Sequence, residues 1–378
     1  MRRRFGVVYH LWNASSATDE LLDRLIGEVG AEMLVVPVVG GPRVQFRPQA
    51  AGEQPHLMVT EGGWHYPPQA EAYRTTAVRP RTARWMGKRD VLARVAELAR
   101  KRDIELLLGV DLRGCALLAD HHPHLRCRNA WGESEPGSGL CVLNPELREL
   151  ATDVLRDLRR YGPAGFELAN WLPDVPALPA PRPLEHTPTA RGLLDVCFCP
   201  ACRQVAVSAE IDPDAAARSV RLRMEQALGS PVADAAADPL ADDEVLAGYV
   251  AARRQAAAAW YRQALRGGDG RDYLTVRHPP TGALGWHQPS LTPLLEAAGC
   301  VLVSGPEAAT RPTIADIRPA GCVLEVWRPA VQTAEELVKQ VVAAAEVGGD
   351  PIILTGIDEA PAEVVDWLRK AVRFARRV

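Results

Sequence analysis

Runs of apolar residues alternate with amphipathic segments along most of the 378-residue chain. Continuous apolar runs of five to eight residues are typical of parallel strands buried on both faces. Between them, apolar residues recur three and four positions apart, which predicts helices. The pattern predicts eight strands, at residues 5–12, 33–39, 104–112, a run through Glu167, 273–277, 301–304, 322–327 and 352–357.

Helix boundaries are marked by capping residues. Asn144 precedes Pro145, so that an N-cap side chain and a first-turn proline begin a helix before the strand that carries Glu167. Thr333 and Glu336 have the spacing of a capping box, and they predict the helix between the seventh and eighth strands.

Eight apolar strands that alternate with helices predict an α/β fold, a single (β/α)8 TIM barrel over residues 1–378. Residues 40–87 are too long for a passive connection, so we interpret them as an excursion over one end of the barrel. Residues 173–241 break the strand–helix rhythm, and they predict an insertion after the fourth strand. A doubly wound sheet is the alternative, but "YHLWNASS" replaces a Gly-rich phosphate turn after the first strand.

Composition narrows the class of function. A net charge of −3 argues against a general role in binding nucleic acids or membrane surfaces, and no apolar run reaches the length of a membrane span. The start, "MRRRFGVVYHLW", lacks a small-residue cleavage site, which favours a first strand over a signal peptide. Eight cysteines without an export signal indicate reduced thiols or metal ligands, and we expect a cytoplasmic protein.

In a parallel barrel the residues that bind and react lie at the carboxyl ends of the strands. The polar and aromatic residues at the predicted ends are His10, Trp12, Asp111, Arg113, Glu167, Asn170, Trp171, Arg277, His278, Glu325, Trp327, Arg328, Asp358 and Glu359. Glu167 and Glu325 lie within apolar strands, where a charge is costly unless it is paired or used. Either each forms an ion pair with an arginine inside the barrel, or the two form a reactive carboxylate pair.

Tryptophans are concentrated on the same side of the predicted barrel. Trp12, Trp64, Trp131, Trp171 and Trp327 lie at strand ends or in the long loops. Indole faces beside carboxylates suit the C–H faces of sugar rings. The alternative is that the indoles fill the barrel mouth.

The block from "HPHLRCRNAWGE" through "LCVLNPELRELATDVLRDLRRYGPAGFELANW" resembles bacterial glycoside-hydrolase-like TIM barrels, and "LLDVCFCPACR" resembles a cysteine segment found in one branch of them. The similarity covers roughly residues 104–205. It implies a barrel with carboxylate-based glycosidic chemistry, or a descendant of such an enzyme. Members of the group tend to carry an acidic residue two positions after the one that matches Glu167, where this chain has Ala169.

Cys197, Cys199 and Cys202 have C-x-C-x-x-C spacing, and a Cys-Pro-x-Cys turn is a usual way to hold zinc. We expect possible zinc, more structural than catalytic, with His186 as the leading fourth ligand. The other candidates for that position are Cys127, His121, His122 and His124. A redox dithiol and buried free thiols are the alternatives, and we interpret Cys141 as a core thiol. We expect no nucleotide cofactor.

These observations predict a hydrolase that cleaves a glycosidic bond and whose partner is a saccharide or glycoside substrate. Glu167, Glu325 and Asp358 are the predicted catalytic residues. The predicted substrate-binding residues are His10, Trp12, Asp111, Arg113, Asn170, Trp171, Arg277, His278 and Trp327. Two alternatives stay open: a zinc-dependent enzyme of other chemistry, for instance in specialised metabolism, and a barrel that binds saccharide without turnover, as Ala169 would permit.

Overall fold

The computed structural model describes residues 3–15, 20–50, 56–134, 139–169, 171, 192–229, 240, 242–265, 273–277, 299–304 and 320–378. The strands are β1 Phe5–Val8, β2 Met33–Gly40, β3 Arg43–Phe46, β4 Leu57–Thr60, β5 Gly63–Trp64, β6 Glu105–Val110, β7 Gly165–Ala169, β8 Tyr273–Arg277, β9 Cys300–Ser304, β10 Ala320–Glu325 and β11 Ile352–Thr355. The helices are α1 Glu20–Gly27, α2 Val91–Lys101, α3 Ala116–His121, α4 Pro145–Leu158, α5 Pro200–Ser208, α6 Pro213–Gly229, α7 Glu244–Leu265, α8 Ala334–Glu346 and α9 Val364–Ala375.

One curled sheet holds the chain together. Its parallel strands follow the order β1, β11, β10, β9, β8, β7, β6 and β2, and β1 also pairs with β2, so that the two ends of the sheet meet. The short β5 joins β2 in antiparallel fashion, while β3 and β4 form a separate hairpin. The predicted α/β class with a parallel sheet is confirmed.

Successive side chains along each strand point to opposite faces of the sheet, so an apolar layer lies on each face. The inner face of the curled sheet packs the cluster Met33, Val35, Leu107, Tyr273, Cys300, Leu302 and Ile353. Residues of the opposite face, such as Phe166 and Leu168 on β7, belong to the larger core between the sheet and the helices. The position of a residue along its strand therefore shows whether its side chain points into the interior of the curled sheet or toward the helices.

The helix boundaries follow the sequence signals. The Asn144 side chain accepts a hydrogen bond from the backbone of Glu146 at the start of α4, and Gly162 adopts a left-handed conformation shortly after its end. Thr333 and Glu336 form the expected capping box before α8. Residues 278–298 and 305–319, which would hold the connections after β8 and β9, lie outside the described residues. The complete set of eight barrel helices therefore stays a prediction.

The segment 40–87 contains the hairpin of β3 and β4, which lies against the carboxyl ends of the first and last parallel strands. Gln45 Nε2 donates to Glu359 Oε1 at 3.0 Å, and Gln49 Nε2 donates to the carbonyl oxygen of Ala360 at 2.6 Å. These bonds hold the hairpin against the carboxyl end of β11. Among the described helices, none is both long and apolar enough to cross a membrane.

Candidate functional site

Glu167 and Glu325 both lie on the interior face of the curled sheet. On β7, Phe166 and Leu168 face the helices, so Glu167 between them faces inward. On β10, Val323 packs with the inner cluster, and Glu325 two residues later shares its face. Because both residues are near the carboxyl ends of their strands, the fold directs two carboxylates from distant parts of the chain toward the same mouth.

The surroundings of the two glutamates differ. Glu167 is half-buried and pairs in register with Gly109 of β6. A Cβ atom at position 109 would lie 3.1 Å from Glu167 Oε2. The carboxylate therefore occupies space that the absence of a side chain at Gly109 leaves open. Glu325 is exposed, and its Cγ is 3.5 Å from the place of a Cβ at Gly356. One carboxylate is thus partly withdrawn from water, while the other is solvated.

Both carboxylate oxygens of Asp358 have partners within the protein. It is buried in the short 3-10 helix after β11, where Oδ2 contacts His10 Nδ1 and Oδ1 accepts from Asn13 Nδ2 at 2.7 Å. Arg47 is buried nearby; burial lowers the pKa of its guanidinium, and the charges of Asp358 and Tyr9 oppose that shift. With both oxygens bonded to protein groups, Asp358 has the surroundings of a positioning residue.

Asp111 and Arg113 both follow β6, but their side chains contact different parts of the protein. Asp111 shares the interior face of Leu107, and its Oδ1 accepts a hydrogen bond from the backbone of Gly114 at 2.9 Å, which stabilises the turn. Arg113 is buried, and its Nε donates to the carbonyl oxygen of Leu140 at 3.3 Å. That bond ties Arg113 to the loop before α4, on the side of the cysteine-bearing helices.

Most of the tryptophans at the mouth are buried. Trp12, Trp64 and Trp171 are at most 3% exposed, so protein atoms cover their indole faces. Trp171 packs against Trp260 of α7 with ring centroids 4.9 Å apart. For these three, burial favours packing within the protein over stacking on a sugar. Trp327 is partly exposed and Trp131 is 46% exposed, which leaves them as the candidates for stacking.

Several predicted site residues lie outside the described part of the chain. They are Asn170, His186, His278 and the side chain of Arg277, whose backbone belongs to β8. Their predicted roles remain untested.

Four cysteines come together between β6, β7 and the helices that follow. The sulfur atoms of Cys141, Cys197, Cys199 and Cys202 all lie within 4.8 Å of one another, and all four residues are buried. Cys202 belongs to α5 and Cys199 is its N-cap, while Cys141 comes from the loop before α4. Cys141 is buried, as its prediction as a core thiol requires, but it also supplies a fourth sulfur that the C-x-C-x-x-C spacing does not include.

Hydrogen-bond donors surround this cluster. The backbone of Arg128 donates to Cys197 Sγ at 3.4 Å, and Arg253 Nε of α7 donates to Cys202 Sγ at 3.4 Å. Hydrogen bonds among the sulfur atoms lower the pKa of Cys197 and Cys202 well below that of an ordinary thiol, against the effect of burial, and raise the pKa of Cys141 and Cys199. Two of the four thus favour the thiolate, the form that binds a metal ion, and the four sulfur atoms lie close enough together to hold one ion.

Sequence reasoning missed the residues that surround His10. Arg43, Gln45 and Arg47 belong to or follow β3, and His65 follows β5, both within the segment 40–87. Gln45 Oε1 accepts from Trp12 Nε1 at 3.0 Å. The signal available in the sequence was only the unusual length of that segment. Nothing in its pattern relates positions 43–65 to a strand end more than thirty residues earlier.

We expect His65 to make the protein less stable in acid. Its side chain is buried, and burial lowers its pKa from 6.5 to about 4, with a contribution from the positive charge of Arg43. Between pH 6.5 and about 4 the imidazole is protonated in the unfolded chain but stays neutral in the folded protein. The contribution of His65 to the free energy of unfolding is therefore fully present above pH 6.5 and is lost as the pH falls toward 4. This one group accounts for roughly 3 kcal/mol of that loss.

The measurement is urea unfolding of wild type and His65→Gln at several pH values across this range. The difference in free energy of unfolding between the two proteins should shrink as the pH falls. His121→Gln, at the exposed end of α3, is the control and should run parallel to wild type. Parallel curves for His65→Gln would contradict the buried neutral imidazole.

Comparison with solved structures finds glycoside hydrolases of similar fold. An α-L-fucosidase isoenzyme from Paenibacillus thiaminolyticus matches 99% of this chain and 49% of its own, at 12% identity and a TM-score of 0.57. A β-galactosidase from Marinomonas ef1 matches 98% of this chain and 59% of its own, at 10% identity and a TM-score of 0.54. This chain therefore spans about half the length of these enzymes, and the likeness shows a shared fold. No protein-family model and no curated protein matches the sequence.

Proposed function

We propose that this chain is a glycoside-hydrolase-like enzyme that cleaves a glycosidic bond with Glu167 and Glu325. The barrel would span residues 1–378, with 173–241 as the cysteine-bearing insertion. The observation that carries the proposal is the shared interior face of the two glutamates at the carboxyl ends of β7 and β10. The glycosidase fold of the solved neighbours supports it.

The two carboxyl groups suit the two roles of glycoside hydrolysis, in which one group protonates the leaving oxygen and the other serves the opposite face of the sugar. Glu167 is half-buried and is the less solvent-exposed of the two, which suits the group that contacts the leaving oxygen. Glu325 is exposed, which suits a group that stays ionised. We therefore assign Glu167 as the acid and Glu325 as the carboxylate that faces the developing positive charge.

The remaining predicted residues divide between binding and support. His10 and Asp111 share the interior face, and Trp327 is partly exposed at the end of β10, so these three are the described candidates for contact with the sugar. Trp12, Trp171, Arg113 and Asp358 support the mouth from buried positions. Asn170, Arg277 and His278 stay proposed contacts from the sequence pattern alone.

The direct test is a panel of nitrophenyl glycosides that covers both anomers of the common hexoses, fucose and N-acetylhexosamines. We expect at least one to be cleaved, and we expect the activity to persist after a chelator has removed the metal, when it is assayed at a temperature at which the metal-free protein stays folded. Saturable binding of saccharides without product would instead support a saccharide-binding barrel. Activity that is lost with the metal while the chain stays folded, and regained on its return, would support zinc-dependent chemistry.

We also propose that the four-cysteine cluster holds a structural zinc ion. Cys197, Cys199 and Cys202 were predicted as ligands, and Cys141 takes the fourth position, for which His186 was the leading candidate. Four buried thiolates leave no open coordination position for a water, which is the arrangement of structural rather than catalytic zinc. Zinc here would tie the loop before α4 to α5. A cytoplasmic location, where thiols stay reduced, fits this use of cysteine.

A further inference from the structure

His10 belongs to a hydrogen-bonded chain that reaches both nitrogens of its ring. Its Nδ1 contacts Asp358 Oδ2, while Asn13 holds the other carboxylate oxygen. Its Nε2 lies 2.7 Å from Arg43 Nη1. The imidazole also stacks on Trp12, with centroids 4.5 Å apart and an angle of 7° between the rings. The ring is therefore held in one orientation.

The partners of His10 determine which nitrogen carries the proton. A guanidinium group only donates, so Nε2 must accept the hydrogen bond from Arg43 and has no proton of its own. The Nδ1 atom of the neutral ring then carries the hydrogen and donates it to Asp358. His10 is thus a neutral base whose free electron pair is on Nε2.

The strand register places His10 at the level of Glu167. Gly109 of β6 pairs with Pro37 on one side and with Glu167 on the other. Val8 pairs with Val35, and His10 and Pro37 are each two residues further along. His10 also shares the interior face of Val8. The base and the proposed acid therefore face the same mouth from different strands.

We propose that His10 is the catalytic base that activates the attacking water, with Asp358 and Asn13 as positioning residues. This inference rests on the function proposed above. The water oxygen bonds to the anomeric carbon as its proton passes to Nε2. The glycosidic C–O bond breaks with its electron pair on the leaving oxygen, which takes the proton of Glu167. Transfer of the Nε2 proton back to Glu167 through solvent restores both groups.

In the structure described, Arg43 covers the base. Arg43 itself is exposed, at the start of β3 on the hairpin that contacts the residues after β11. Its displacement from Nε2 makes room for the water molecule. Asp358 and Asn13, which are buried, keep the ring in place when Arg43 leaves.

Chemical rescue tests the catalytic role of His10. We expect His10→Ala to lower the turnover rate by roughly 100-fold or more. Added imidazole should then raise the rate of this variant by roughly tenfold. His10→Gln is the control, because its side chain fills the space and should show no rescue. Full activity in folded His10→Ala, or a loss that imidazole does not relieve, would overturn the proposal.

Nitrogen-15 spectra of histidine-labelled protein test the assigned tautomer without any need for activity. We expect wild type and Arg43→Ala to show the Nδ1–H form of His10, and Asp358→Asn to lose that preference. An Nε2–H form in wild type would overturn the proposal. If the spectra show Nδ1–H but no glycoside is cleaved, the proposed function fails while the tautomer assigned to His10 stands.

Discussion

Replacement of either Glu167 or Glu325 by glutamine is expected to lower the rate of glycoside cleavage by roughly 1000-fold. Glutamine keeps the size of each side chain but can neither give up a proton nor carry a negative charge. Both carboxylates face the interior at the carboxyl ends of their strands, so neither substitution removes a residue of the two apolar layers. We therefore expect thermal unfolding to change little.

Two control variants sharpen this prediction. Glu105→Gln removes a glutamate from the start of β6, at the opposite end of the same sheet, where it is ion-paired with Arg4, and activity should be kept. Gly109→Ala should lower activity without touching a carboxylate, because its Cβ would lie 3.1 Å from Glu167 Oε2 and displace that group. Equal activity in wild type and folded Glu167→Gln would refute the role of this residue.

Loss of one sulfur from the four-cysteine cluster is expected to destabilise the folded protein strongly. The wild-type protein should carry one zinc ion per chain. Cys141→Ser and Cys202→Ser should lose it and melt roughly 10 °C or more below wild type. Metal binding free energy contributes directly to folding when the site exists only in the folded state.

The measurement is elemental analysis of the purified protein together with thermal unfolding, before and after treatment with a chelator. Cys115→Ser is the matched control, since Cys115 is equally buried but is not one of the four clustered cysteines. It should keep the metal. A metal-free wild type whose melting temperature does not respond to added zinc would refute the site.

The strands and helices were predictable because each has a local cause. Apolar runs marked the parallel strands, and the caps at Asn144 and Thr333 marked the helix starts. The predicted first strand, 5–12, is longer than the observed β1, since residues from Leu11 turn into a 3-10 helix. That turn is what directs His10 and Asn13 toward Asp358.

The site was predictable only in part because its contacts join distant positions. Strand ends marked Glu167, Glu325 and His10 as candidates, and the alternation along their strands, a local property, places them on the interior face. The position of Arg43 over His10 depends on how the hairpin folds back, which no local pattern encodes. Cys141 likewise lies far from "CFCPAC" in the sequence, and only the tertiary fold brings the two together.

The central claim is that Glu167 and Glu325 act on one sugar. The most direct measurement is a crystal structure of the Glu167→Gln variant soaked with a glycoside that the wild-type protein cleaves. We predict a sugar ring at the carboxyl end of the sheet, with the side chains of residues 167 and 325 separated by roughly 5–9.5 Å across the scissile bond. A glycoside bound elsewhere, or one that contacts neither side chain, would contradict the account.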